Sequence, residues 1–241
     1  MPFSSTSGLT PDAPLRDWKA PPRPMRRTLV GRYCRLEPVD PDRHAAPLFS
    51  ALAQDTSGAV WAHLPYGPFA SADAYAQWLQ TVCGGDDPLF FAIVDAASNR
   101  AVGIASYLRI TPQAGSIEIG HLLFSPQLQR HTAATEAVYL LMRQAFTLGY
   151  RRLEWKCDTR NLASRRAAAR LGFRFEGVFR QAAVVKGHNR DTAWFSVIDA
   201  EWPALDAAFR LWLAPENFDA AGRQHQRLSA LTAAVATSTA A

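Results

Sequence analysis

The chain has 241 residues, 48% of them apolar, which is enough to fill one α/β or α+β core with room for extensions. No apolar run approaches the ~20 residues of a membrane span, residues 1–18 hold no signal core, and Cys34, Cys83 and Cys157 lack any C-x-x-C spacing, which argues against a membrane protein, a disulfide framework and a metal site and for a cytoplasmic one. The net charge of +5 is uneven, with seven Arg or Lys against one Asp in residues 16–35 and eleven against three acids in residues 151–190, so one surface is positive and suits an anionic cofactor or a nucleic acid equally.

Residues 1–27, rich in Pro, Ser and Arg and without periodicity, read as a basic arm. "TLVGRYCRLEPV" predicts a first strand closed by Pro38, and residues 41–54 and 71–82 predict helices, the second capped by Ser71 at the amide of Asp73 or Ala74. "LFFAIVD", "AVGIASYLRI" and "SIEIGHLLF" are three strands separated by linkers short enough for hairpins, an antiparallel meander. The run from Ala133 to Thr147 places Val138, Leu141, Met142, Ala145 and Phe146 at helical spacing, with Gly149 suited to end it. "RRLEWKCD" alternates Leu153, Trp155 and Cys157 inward after that crossover, and so should lie parallel to the third meander strand. "ASRRAAARL" is a further helix ended by Gly172, and "FRQAAVV" and "TAWFSVI", joined by "KGHNRD", form a closing hairpin. Beyond residue 200, "EWPALDAAFRLWL" reads as a packing helix and "SALTAAVATSTAA" as a tail with little to bury.

The junction "SPQLQRHTAATEA" turns from strand to helix, where unpaired amides and the helix dipole favour anions, yet it contains no glycine. Together with "NLASRRAAARLGFRFEG" and "KGHNRDTAWFSVID", in this strand order, it resembles the GNAT acyltransferase superfamily, and within it the ribosomal-protein N-terminal acetyltransferases of the RimJ/RimL type. The resemblance runs from about Thr28 to Asp199 and implies a single GNAT-like α/β domain over residues 28–199, with residues 200–241 as a helical extension. It implies a mixed central sheet of about seven strands, antiparallel at first, with a parallel pair at a cleft for acetyl-CoA. The two small positions of the phosphate turn fall on Thr132 and Ala134, which supply amides unless the turn demands positive φ. Residues Gln129, Arg130, His131, Thr132, Ala133, Ala134 and Thr135 then form the pyrophosphate cradle, with charge from Arg130, Arg165 and Arg166.

By the same resemblance, the backbone of Leu122, Leu123 and Phe124 and the side chain of Asn161 reach the pantetheine arm, although an Asn there equally suits a helix cap. The family moves an acetyl group directly to an amine, so a base and a stabiliser of the departing thiolate are needed. The position of the usual tyrosine acid is Ala168, and Ser164 matches the serine that takes its place, with a helix cap as its other use. Glu118 is the candidate base, a solvent-facing or ion-paired Glu being the competing reading, and His121 is placed by strand alternation on the opposite face. Trp61, Tyr66 and Phe69 are expected to wall the acceptor side. The implied protein is an N-acetyltransferase acting on a protein N-terminus or a small-molecule amine, a monomer or homodimer, without membrane or metal. The alternative is an acyl-CoA sensor or nucleic-acid-binding module on the same fold, although no nucleic-acid motif is evident.

Overall fold

Three apolar strands in the middle of the chain set the frame on which the other elements pack. The computed structural model describes residue 15 and residues 17–238, and the outer part of the expected arm and the last three residues of the tail lie outside that range. The meander is β3 (Leu89–Asp95), β4 (Ala101–Thr111) and β5 (Ser116–Phe124), each paired antiparallel to the next. On its outer edge lie β1 (Leu29–Val30) and β2 (Cys34–Pro38), and beyond β5 come β6 (Arg152–Asp158), β7 (Arg174–Val185) and β8 (His188–Ile198). The eight strands form one sheet in the order β1-β2-β3-β4-β5-β6-β8-β7, in which β5 and β6 are the parallel pair.

Helices cover both faces. On one face α1 (Pro41–Leu52) and α2 (Ala72–Val82) bury Leu48, Leu52, Tyr75 and Leu79 against Phe90, Ile104 and Leu123. The opposite face carries α3 (Thr132–Thr147), α4 (Leu162–Arg170) and α5 (Trp202–Leu213), whose Leu141, Ala168 and Phe209 join Ile117, Ile119, Leu153 and Trp155. Gly149 and Gly172 end α3 and α4 at φ 95° and 89°, as a residue without Cβ allows. The Ser71 hydroxyl caps α2 by accepting from the amide of Ala74.

Three expectations need correction. The single first strand is two, because the chain turns back at Gly31–Tyr33, and this gives eight strands instead of about seven. The closing hairpin is longer than the apolar runs suggest, since its turn is only Lys186–Gly187 and polar residues on both sides pair in the ladder. The stretch read as a tail forms α6 (Leu228–Ser238), which buries Leu228 and Thr232 under α4 and α5. Within residues 1–27, the described part is fastened to the domain: Arg26 donates to the Cys83 carbonyl at 2.8 Å and Arg23 to that of Ile110 at 3.2 Å.

The turn between β1 and β2 exists because α3 holds it. Glu136, buried on α3, accepts the backbone amides of Arg32, Tyr33 and Cys34 at 2.7, 2.6 and 2.8 Å. A Cβ at Gly31 would lie 2.4 Å from that carboxyl carbon, so this position has no room for a side chain. Glu136→Ala leaves three amides without an acceptor and is expected to lower the unfolding free energy by on the order of 3 kcal/mol; Gly31→Ala should cost ~1–3 kcal/mol by overpacking. Urea unfolding midpoints measure both, and unchanged midpoints would refute the anchor.

Candidate functional site

The parallel pair does not run to its end. β5 and β6 pair from Ser116 and Arg152 as far as Ile119 and Trp155, and beyond those residues the strands part. On its other side β5 stays in register with β4 through Leu123 and Phe124, and the Ser125 amide donates to the Val102 carbonyl. Alternation along a strand then turns the main-chain groups of Leu122 and Phe124 into the gap and those of Leu123 into the ladder. The Phe124 carbonyl accepts from Gln129 Nε2 at 3.0 Å. Two of the three backbone positions expected in the cleft are thus there, and Leu123 is not.

At the mouth of this gap the loop 125–131 is pinned by buried Leu128 and leads into α3. The left-handed residue is Arg130, at φ 62°, whereas Thr132 is the first residue of the helix, so any strain lies two positions earlier than the glycine pattern suggests. The amides of Arg130 and Thr132 make no hydrogen bond among the described residues. His131 caps the helix, its Nδ1 accepting from Ala133 at 3.3 Å and its carbonyl from Ala134 at 3.1 Å. Thr135 drops out of the cradle: it is buried, and its hydroxyl accepts from Arg170 at 2.8 Å. Arg130 and Arg166 are exposed, while Arg165 is turned toward the Thr159 carbonyl and the Phe175 ring.

Across the gap, Asn161 is the cap of α4, with Oδ1 accepting from the Ser164 amide at 3.0 Å. Ser164 is therefore not itself a cap. Its Oγ accepts the indole N–H of Trp155 at 2.9 Å, and the nearby Cys157 thiol is pushed up chiefly by burial.

β5 carries a bulge that sequence alternation misses. Ile104 pairs with Leu123 and Ser106 with Gly120, so one residue of β4 faces two of β5, and His121 takes φ 50°. The extra residue returns His121 to the face of Glu118 and Leu123, where its ring meets Phe90 and its Nδ1 lies 3.0 Å from the Tyr66 hydroxyl. Burial, reinforced by the charge of Arg109, pushes the His121 pKa down to about 4, and burial raises that of Tyr66 well above the usual phenol range. Glu118 is ion-paired: buried, it has Arg109 Nη1 2.8 Å from Oε1 and Lys156 Nζ 2.9 Å from Oε2. Both oxygens are engaged by cations, and neither is turned to an open cleft.

Of the expected aromatic wall, Tyr66 alone meets the site's side chains. Trp61 and Phe69 pack edge-on to each other and to Tyr75 in the core under α1 and α2. The Trp61 backbone has a different use, since its carbonyl accepts from Lys186 Nζ at 3.0 Å, bringing the tip of the β7–β8 hairpin onto the loop before α2. Sequence reasoning missed this bridge, the Tyr66–His121 pair and the Arg109–Glu118–Lys156 ion cluster. Gly120 within a strand was the one signal for the bulge.

The chain was compared with known proteins. Residues 34–174 match the family model described as an acetyltransferase (GNAT) domain. Among solved structures, a GCN5-related N-acetyltransferase from Brucella melitensis is 48% identical with a TM-score of 0.89, covering 91% of this chain and 100% of its own. A GNAT-family acetyltransferase from Chromobacterium violaceum is 46% identical with a TM-score of 0.76, over 81% of this chain and 98% of its own. The ribosomal-protein acetyltransferase RimL, 21% identical with a TM-score of 0.61 over 71% of this chain and 94% of its own, shares the fold. A comparison with curated proteins gives no match.

The buried imidazole has a consequence for stability. Its pKa is about 4 in the fold against an ordinary 6.5, so between those values the unfolded chain binds more protons and stability falls as pH drops from 6.5 toward 4. The loss attributable to His121 is on the order of 3 kcal/mol. The difference in unfolding free energy between the parent and His121→Asn should change by that amount across the window; a constant difference would mean that His121 does not stay neutral.

Proposed function

The chain belongs to the GNAT acetyltransferase family, and from that premise we propose that it transfers an acetyl group from acetyl-CoA directly to a primary amine. The parted strands carry this reading, because they leave main-chain groups of Leu122 and Phe124 without a strand partner, beside a helix N-terminus with two unpaired amides. A long ligand with amides in its arm and a pyrophosphate at one end fits such a surface. The amides of Arg130 and Thr132 would hold the pyrophosphate, assisted by the charge of Arg130 and Arg166, and Leu122 and Phe124 the pantetheine amides. When bound, acetyl-CoA supplies an acyl thioester.

Ser164 is the group we assign to the sulfur. Its oxygen is fixed by the Trp155 indole, so the hydroxyl hydrogen remains as the donor it can offer. Asn161 holds the start of α4 and thereby positions Ser164. For the amine's proton, His121 is better suited than Glu118. The imidazole is neutral at pH 7 and linked to Tyr66 at the bulge, where the strands part, whereas Glu118 is held between two cations.

Two substitutions test this. Because Thr132 is the first helical residue and His131 is extended at φ −87° and ψ 151°, a proline is compatible with both and removes only the amide donor. Thr132→Pro should fold normally and bind CoA ~10- to 150-fold more weakly by calorimetry, the equivalent of one charge-assisted hydrogen bond. Parent-like affinity would remove the cradle from the cofactor site. Ser164→Ala should lower kcat by roughly 10- to 1000-fold with CoA affinity nearly unchanged, and an unchanged kcat would leave the hydroxyl a purely structural partner of Trp155.

A further inference from the structure

The face of the sheet that carries Glu118 also carries a row of charges running across the strands. Arg109 on β4 pairs with Glu118 on β5, Glu118 with Lys156 on β6, Lys156 with Glu154 at 2.7 Å, Glu154 with Arg152 at 2.7 Å, and Arg152 with Glu176 on β7 at 2.5 Å. Signs alternate along the row, and its two ends differ. The positive end, Arg109, reaches Glu118, one residue before the last pair of β5 and β6, and the negative end, Glu176, lies on the far edge of the sheet.

Arg109 occupies its place against a conformational penalty. It is left-handed at φ 48° in a bulge of β4, and the Asp87 carboxylate holds it there by accepting the amides of Arg109 and Ile110 at 2.8 and 2.9 Å. The backbone so fixed sends the guanidinium over β5 to Glu118, within electrostatic reach of His121. Neutralising Glu118 does not require it, since Lys156 already contacts the other oxygen. The Arg109 side chain is 59% exposed, and one of its nitrogens contacts Glu118. A planar cation, with donors that make no other hydrogen bond among the described residues and held near the proposed base His121, is suited to binding a planar anion.

A second observation comes from the neighbouring strand. Trp194, sandwiched between Lys156 and Phe179, has a buried indole N–H with no acceptor among the described residues, and Arg190 on the same face of β8 has a buried Nε–H in the same condition. Buried donors without partners call for an oxygen that the described residues do not provide. Resting on the acetyl-transfer reading, we infer that the acceptor is an amine whose own molecule carries a carboxylate, which Arg109 binds while the amine faces His121.

A panel of amines read by CoA release tests this. It pairs glycine, β-alanine and γ-aminobutyrate with their amides, includes Ala-Asp against Ala-Lys to separate a free amino acid from an acidic peptide terminus, and adds spermidine. Carboxylate-bearing acceptors should be preferred by ~10-fold or more in kcat/KM over their neutral counterparts, the usual discrimination of one charge-assisted contact. Arg109→Gln should reduce that preference ratio by a similar factor through KM, Arg109→Lys should restore part of it, and CoA affinity measured by calorimetry should not follow. Trp194→Phe, which removes the orphan donor while keeping the ring, should reduce the ratio independently if Arg109 variants fold poorly. Equal use of acids and amides, a preference for spermidine, or a ratio unmoved by Arg109→Gln and Trp194→Phe would each overturn the inference while leaving acetyl transfer intact. CoA release with none of these amines, together with no CoA binding, would instead overturn acetyl transfer itself.

Discussion

Two neighbouring strands that stop pairing in mid-sheet are a constraint from which most of this molecule follows. Backbone donors and acceptors inside a protein must find partners, so a sheet that opens between Ile119 and Phe124 on one side and Trp155 and Asp158 on the other has to offer them something else. The Gln129 side chain takes one carbonyl, and the remaining groups face the gap. The bulge at His121 belongs to the same constraint, because the extra residue lets β5 bend away from β6 while keeping its ladder with β4. The bulge brings an imidazole and a phenol together at 3.0 Å, and Ser164 meets Trp155, the last β6 residue paired with β5, although none of these groups is local to another in sequence.

Local signals in the sequence were sufficient for most of the frame. The periodic stretches became α3, α4 and α5, the alternating ones the meander and β6, and Asn161, one of two readings open for it, proved to be a cap in geometry. What could not be read is uniformly nonlocal. Gly31 looks like any strand glycine until Glu136, more than a hundred residues later, is seen filling the space a Cβ would need. His121 was assigned to the wrong face because a bulge shifts the period by one and leaves little compositional trace. The glycine pattern falls on Thr132 and Ala134, whereas the pinned Leu128 and the His131 cap put the left-handed residue of this loop at Arg130. Thr135 could be excluded from the cradle only by seeing Arg170 reach it from another helix.

Charge follows the same division. The sequence indicates an excess of cations in residues 151–190 but not their neighbours. In the fold, two of them, Arg152 and Lys156, serve acids on the same sheet face, and the row they help to make ends at Arg109 on one side and Glu176 on the other. A bare count of Arg and Lys on this surface would have suggested a nucleic acid as readily as a small anion.

The Glu136 anchor reaches beyond the turn it stabilises. Glu136 lies one helical turn inside α3 from Thr132, so the helix whose first amides would receive an anion is also bolted to the strand at the edge of the sheet. It cannot slide or roll toward a ligand without pulling Arg32, Tyr33 and Cys34 out of place. An anion bound at those amides would thus meet a site preorganised from a distance, its reorganisation cost met during folding by the hold of three amides near residue 33.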